Sequence, residues 1–197
     1  SLDTYSGTAQ KYSQRIIVSE AVKRGWDIVT ADVEKAFLQG VNYEELSRLT
    51  GEPIREVNFY LPATSVPILR KVPGFENFDA SSEVLHCDKP GTGSVDAPRC
   101  FSLKLKQVTE KVGMTSCTID HELCMLHGDK KDNQCNLLSR LIALMTKHVD
   151  DLKVCGKKSA VTWILAQIEK VFGQLKIGLA QLHRLWSTPH ARPSVQM

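Results

Sequence analysis

No CxxC pair, no apolar run near the length of a membrane span and no internal repeat occurs in this chain. Each absence removes a class of protein. The six cysteines, Cys87, Cys100, Cys117, Cys124, Cys135 and Cys155, are scattered, which argues against a zinc ribbon or a thioredoxin-like site and leaves reduced thiols as the expectation. The longest apolar stretches, 141–145 and 161–166, fall well short of the roughly 20 residues that span a bilayer, so no membrane partner is expected. The first residues lack the basic and apolar regions of a secretory signal, and an intracellular protein, cytoplasmic or nuclear, is the simpler reading. The missing initial Met is read as a cut from something longer. A large charge imbalance is missing too: 25 basic against 22 acidic residues give +3, compatible with a nucleic-acid partner but far from a polycationic binder.

What is present is the balance of an ordinary globular domain, 42% hydrophobic and 24% charged in 197 residues. A helix is predicted over 8–24, with Ser6 or Thr8 as its cap, Gly25 as its stop, and Tyr12, Ile16, Ile17 and Ala21 as its core face. Residues 26–32 read as a buried strand ending on Asp32, and 43–49 as a short helix. The Pro- and Gly-rich stretch 51–93 excludes long regular elements, 57–61 being its best strand. Helical spacing returns over 97–112 and 159–172, with Gly113 and Gly173 as stops. Between these helices, the apolar runs 137–146 and 152–155 flank Lys147-His148-Val149-Asp150-Asp151, which reads as a β-hairpin with two adjacent carboxylates at its tip. Beyond Lys176 the pattern dissolves, and 178–197 is expected to be an irregular tail.

Two constellations carry candidate chemistry. If the strand ending in Asp32 neighbours the hairpin, then Asp32, Asp150 and Asp151 come together as hard oxygen donors of the kind magnesium prefers. Two such ions about 4 Å apart activate a primer 3′ hydroxyl and stabilise departing pyrophosphate in in-line nucleotidyl transfer. The second set is Cys117, His121, Cys124 and His127, most of which a helix would place on one side as zinc ligands, although the spacing matches no common zinc module. Taken singly, an Asp-Asp pair is ordinarily a solvated turn, and Phe37 is core. Trp26, Trp163 and Trp186 read as packing residues.

Ordered motifs add to this. Asp32-Val33-Glu34-Lys35-Ala36-Phe37-Leu38-Gln39-Gly40 resembles D-V-x-x-A-F-L-x-G, the first palm motif of copia-type retrotransposon reverse transcriptases. His148-Val149-Asp150-Asp151-Leu152 resembles their Y-V-D-D hairpin followed by Leu or Met. Between the two, the run Gly93-Ser94-Val95-Asp96-Ala97-Pro98-Arg99-Cys100-Phe101 falls where that family has G-L-K-Q-A-P-R-x-W, and Gly113, Ser116 and Asp120 echo its G-F-x-x-S-x-x-D segment. The resemblance covers roughly residues 5–177. It implies an α+β fold with a polymerase palm-like antiparallel sheet, spanning 1–177 with incomplete fingers and no thumb, in a truncated or decayed copy. The implied activity is RNA-directed DNA synthesis with two Mg²⁺ or Mn²⁺ ions, on an RNA or DNA template with primer and deoxynucleoside triphosphates. Asp32, Asp150 and Asp151 would be catalytic and hold metal, Asp32 and Asp150 as the two principal ligands and Asp151 as the adjacent carboxylate, with the backbone carbonyl of Val33 completing the site. Phe37 would lie beneath the sugar and reject a 2′ hydroxyl. Gly93, Asp96 and Arg99 would lie near the incoming nucleotide, Arg99 as a phosphate contact and Asp96 as added negative charge, since the family has Gln there. His148 stands where the family's Tyr supports the primer end. The alternative is a catalytically silent palm-derived domain acting as a binding or structural component of a larger assembly, with protein partners there.

Overall fold

A computed structural model describes residues 7–128 and 140–180. Its main sheet is six-stranded, with chain order β4-β5-β6-β7-β1-β8, and every pairing in it is antiparallel. The strands are β1 (Ile28–Val33), β4 (Thr115–Ser116), β5 (Leu123–His127), β6 (Leu141–His148), β7 (Asp151–Gly156) and β8 (Leu175–Ala180). A separate two-stranded sheet joins β2 (Val57–Phe59) to β3 (Leu85–Cys87). The helices are α1 (Lys11–Arg24), α2 (Tyr43–Thr50), the single turn α3 (Val66–Leu69), α4 (Ala97–Lys111) and α5 (Lys158–Phe172). Helices and antiparallel sheet together make this an α+β chain, and among the described residues no helix is long and apolar enough to cross a membrane.

Strand alternation sorts the core. Val29, Ala31 and Val33 of β1, with Leu152 and Val154 of β7, face α4 and α5, where Phe101, Leu105, Ile164, Ile168 and Phe172 complete the main cluster. Phe101 and Phe172 meet edge to face with centroids 5.4 Å apart, so the two helices are tied through one aromatic pair. The opposite face of the sheet carries Ile28, Leu123, Leu144 and Cys155, which Ile17 and Ala21 of α1 cover. That second cluster is smaller. Toward the β6–β7 turn it gives way to Thr30, Asp32, His148, Asp151 and Lys153, none of them buried. Four residues after the 3₁₀ turn Ala36–Leu38 begins, Gly40 lies against α4, where a Cβ would sit 2.8 Å from the backbone of Cys100 and Phe101. Its lack of a side chain is what lets the chain after Asp32 dock on that helix.

Several expectations change. Helix α1 starts at Lys11, with Gln10 at the N-cap position making no side-chain capping bond, and Thr8 instead bridges to His148. Tyr12 and Ile16 of that helix are exposed, while Ser13, Ile17 and Ala21 are buried. Their apolar character does not place them inward, because the sheet covers only one narrow stripe of α1. The segment beyond Lys176 is regular through Ala180, since β8 pairs with β1 along its full length. Ile177 and Leu179 are apolar yet exposed on this edge strand, which is why the pattern reads weakly. Trp163 is also largely exposed, whereas Trp26 packs against the smaller cluster. Trp186, Cys135 and the tail from 181 lie outside the described residues.

Replacing Gly40 by Ala should lower stability by roughly 1–3 kcal/mol, as overpacking against fixed backbone does. Urea unfolding measures it, and an unchanged midpoint would show that the Gly40–α4 contact is loose.

Candidate metal centre

Asp32 and Asp151 are brought together by register. They are direct partners across β1 and β7, so both side chains leave the same face of the sheet. The Val33 N–H donates to the Asp150 carbonyl at 3.3 Å, which makes the preceding rung, Asp32 opposite Asp151, a non-hydrogen-bonded one. At such rungs paired side chains approach most closely. Like charges set opposite each other destabilise a sheet, and both carboxylates sit where strands end rather than in the buried middle.

The row continues on either side. Asp32 also pairs in register with Lys176 of β8, and Asp151 pairs with His148 of β6. The Lys176 ammonium lies 3.0 Å from Glu34 Oε1. It is held above its ordinary range first by the hydrogen bond to Glu34, then by that residue's charge, with Asp32 adding to the effect. Two carboxylates thus lie between a lysine and an exposed histidine. Sequence reading missed Lys176, because only the β1–β8 pairing brings it beside Asp32.

Asp150 occupies the two-residue turn with Val149, whose φ is +58°. A β-branched residue there is a backbone outlier, since Val pays sterically for a conformation glycine adopts freely. The turn is held from outside: the Val149 N–H donates to the Gly7 carbonyl at 3.4 Å, and the Ala9 N–H donates to the Lys147 carbonyl at 2.9 Å. Strain of this kind persists where surrounding structure over-determines it.

Asp120 is the anchor of that surround. Its buried carboxylate accepts from the Ser13 hydroxyl, from the Gln10 N–H at 2.9 Å and from the Glu122 N–H at 3.1 Å. Burial pushes the Asp120 carboxyl upward, but those hydrogen bonds outweigh it and hold the group below its ordinary value. Beside it, Lys147 and Glu122 form a buried ion pair at 3.1 Å. Together these contacts pin the start of α1 to the hairpin.

The remaining expected residues are dispersed. Val33 turns its side chain into the main core. Phe37 is half-buried against the same cluster. Gly93 is exposed in a turn with φ +88°. Asp96 is buried at 4% exposure and paired with Arg55, so it does not present its charge as an open surface group. Arg99 donates from Nη1 and Nη2 to the two carboxylate oxygens of Glu52, each at 3.0 Å. The arginine expected to face phosphate is thus engaged by an internal anion.

Among the described residues, no three Asp, Glu, His or Cys side chains already converge into a metal-holding group. The Asp32–Asp151 pair nevertheless suits magnesium, which takes one or two carboxylates and keeps water and substrate oxygens for the rest. The cysteine and histidine set does not suit zinc. Residues 117–127 form no helix, and Cys124 faces the main core while His127, three positions on, leaves the other side of β5. Burial also pushes the Cys124 thiol up, away from the thiolate a metal needs.

Over 159 residues, 81% of this chain, the sequence is 26% identical to the retrovirus-related Pol polyprotein from transposon RE2 of Arabidopsis thaliana, of which the match covers 9%. Over 154 residues, 78% of this chain, it is 25% identical to the polyprotein from transposon RE1 of the same plant, of which the match covers 8%. No family profile and no solved structure matches.

Two outcomes test the architecture of this face. Val149→Gly should raise stability by about 1 kcal/mol through relief of the positive φ, read from urea unfolding. Asp120→Asn should cost roughly 1.5–3 kcal/mol near neutral pH. Because the folded carboxyl is held low, its contribution is complete above the unfolded value of 3.8 and is lost as pH falls through the lower folded value. The destabilisation by Asp120→Asn should therefore shrink on acidification below about pH 4, and a gap independent of pH would contradict this account. By these sequence matches, the chain is similar to a short segment, less than a tenth in length, of retrovirus-related Pol polyproteins from transposons.

Proposed function

We propose that this chain is the palm-like core of an RNA-directed DNA polymerase, with Asp32 and Asp151, in place of the expected Asp32 and Asp150, as the principal metal-holding carboxylates and Asp150 beside them on the turn. The observation that carries the reading is the register Asp32↔Asp151, which sets two carboxylates opposite each other on a partly open sheet face. Similarity to transposon Pol polyproteins supports the same reading. When bound, two Mg²⁺ or Mn²⁺ ions supply Lewis acidity to the attacking hydroxyl and to the departing pyrophosphate.

The chain's own residues have distinct parts in this reading. Asp32 and Asp151 orient the metal-bearing face toward the primer end. Lys176 limits repulsion between the two carboxylates from one flank, and His148 takes the primer-side position on the other. The docking of Gly40 on α4 fixes Phe37, which acts by shape on the sugar at C2′. Template with primer and deoxynucleoside triphosphates are the substrates.

A second reading draws on Asp96 and Arg99. Both are engaged by internal partners, as befits a palm-derived domain that is catalytically silent and serves as a component of a larger assembly. One assay separates the two. Primer extension with magnesium and deoxynucleotides is expected, and Asp32→Asn or Asp151→Asn should each lower its rate by roughly 10²–10⁴-fold, the several kcal/mol that a bound ion supplies. Mn²⁺ titration followed by electron paramagnetic resonance should show weaker binding in both variants. Extension that survives either substitution would remove the polymerase reading. An absence of extension, with primer–template binding intact, would select the silent component.

A further inference from the structure

Helices α4 and α5 cover one face of the sheet, and the surface they share on their outward side is not evenly polar. Between them lies an open groove of about 250 Å³. Val108 and Val112 of α4 form its buried floor, while Trp163 and Val171 of α5 stand along one wall, each with 45% of its surface in water. Trp163 and Val171 are two helical turns apart, so they lie on the same side of α5. Single apolar residues at a surface need no explanation, but a tryptophan standing over an apolar groove has the composition of an interface centre.

The rim carries charge of one sign. Lys104 and Lys111 of α4 and Lys170 of α5 surround the groove, and no Asp or Glu among the described residues lines it. None of these three lysines is ion-paired among the described residues. The carboxylates of the same helices are engaged elsewhere: Glu110 pairs with Lys106 at 3.9 Å, and Glu169 accepts from the Leu175 N–H at 3.3 Å.

Charge and size narrow the occupant. Residues 181–197 contain two Arg and no Asp or Glu, so that end of the chain does not supply the missing negative charge. A second copy meeting groove to groove about a two-fold axis would set lysines against lysines. The volume is below the roughly 300–1,000 Å³ of small-molecule sites, which suits a single inserted side chain. A nucleic-acid strand would satisfy the lysines, but it gains most from successive rings on which bases stack, and this floor is made of valines. We infer that the α4–α5 groove docks an acidic segment of a partner protein, with one aromatic or long aliphatic side chain seated beside Trp163 and its carboxylates on Lys104, Lys111 and Lys170. The groove lies behind the helix layer, across the sheet from the face that bears Asp32 and Asp151, so the inference holds for an active polymerase core and for a silent one alike.

Selection from a random peptide library displayed on phage, in EDTA and low salt, tests the groove. Peptides enriched on the unaltered chain over Trp163→Ala should carry net negative charge and an aromatic or long aliphatic residue. By fluorescence anisotropy, the most enriched peptide, synthesised with a label, should bind Trp163→Ala roughly thirtyfold more weakly, as expected for an interface anchor. It should bind the combined Lys104→Gln, Lys111→Gln, Lys170→Gln variant roughly tenfold more weakly. None of these lysines is buried, so that variant keeps the comparison valid if Trp163→Ala melts early. No enrichment over Trp163→Ala, enrichment of neutral or basic peptides, or an affinity unmoved by the lysine variant would overturn the inference. So would binding of a labelled oligothymidylate that depends on Trp163, which would make a nucleic-acid strand the occupant, or self-association in sedimentation that Trp163→Ala abolishes. These results leave the Asp32–Asp151 reading untouched, because no metal ion takes part.

Discussion

Antiparallel pairing between Ile28–Val33 and Asp151–Gly156 sets Asp32 opposite Asp151, and most of what is distinctive in this chain follows from that register. A slip by one residue would turn every side chain of β1 over, sending Asp32 into the cluster of Phe101 and Ile168 and bringing Val33 to the polar face. The apolar alternation of Val29, Ala31 and Val33 against α4 and α5 forbids it. Burial on one side of the sheet thus enforces a like-charge meeting on the other.

That meeting is tolerated because of its place. Both carboxylates sit at the end of their strands, near solvent, with Lys176 and His148 as the next members of the same row. The turn between β6 and β7 is strained at Val149 and held by Gly7 and Ala9 of the segment leading into α1, whose start is anchored by the buried Asp120. A polar network deep enough to be expensive if left unsatisfied is spent on fixing the approach of one hairpin. The site side of the sheet has a smaller apolar cluster than the α4/α5 side, so stability and chemistry are divided between its two faces.

Local signals made a large part of this legible. Gly25, Gly113 and Gly173 mark helix ends close to where they fall, and the periodicity of Val161, Leu165, Ile168 and Phe172 matches the buried face of α5. The hairpin was readable because two apolar runs flank a short polar turn. The start of α1 was not, since Thr8 is taken by a bridge to His148 rather than by a capping bond. Nor was β8, an edge strand with apolar residues turned outward.

What the sequence determined by itself was the set of elements and the presence of carboxylates at their ends, because periodicity, turn residues and strand propensity act within about ten positions of chain. The tertiary structure alone decided the partners. Asp32 meets Asp151 and Lys176 across gaps of more than a hundred residues, and Asp120 reaches back to Ser13. Arg99, which by motif alone would face a phosphate, is instead held by Glu52. Such choices depend on which surfaces packing brings together, and a charge takes the counter-charge that folding places nearest.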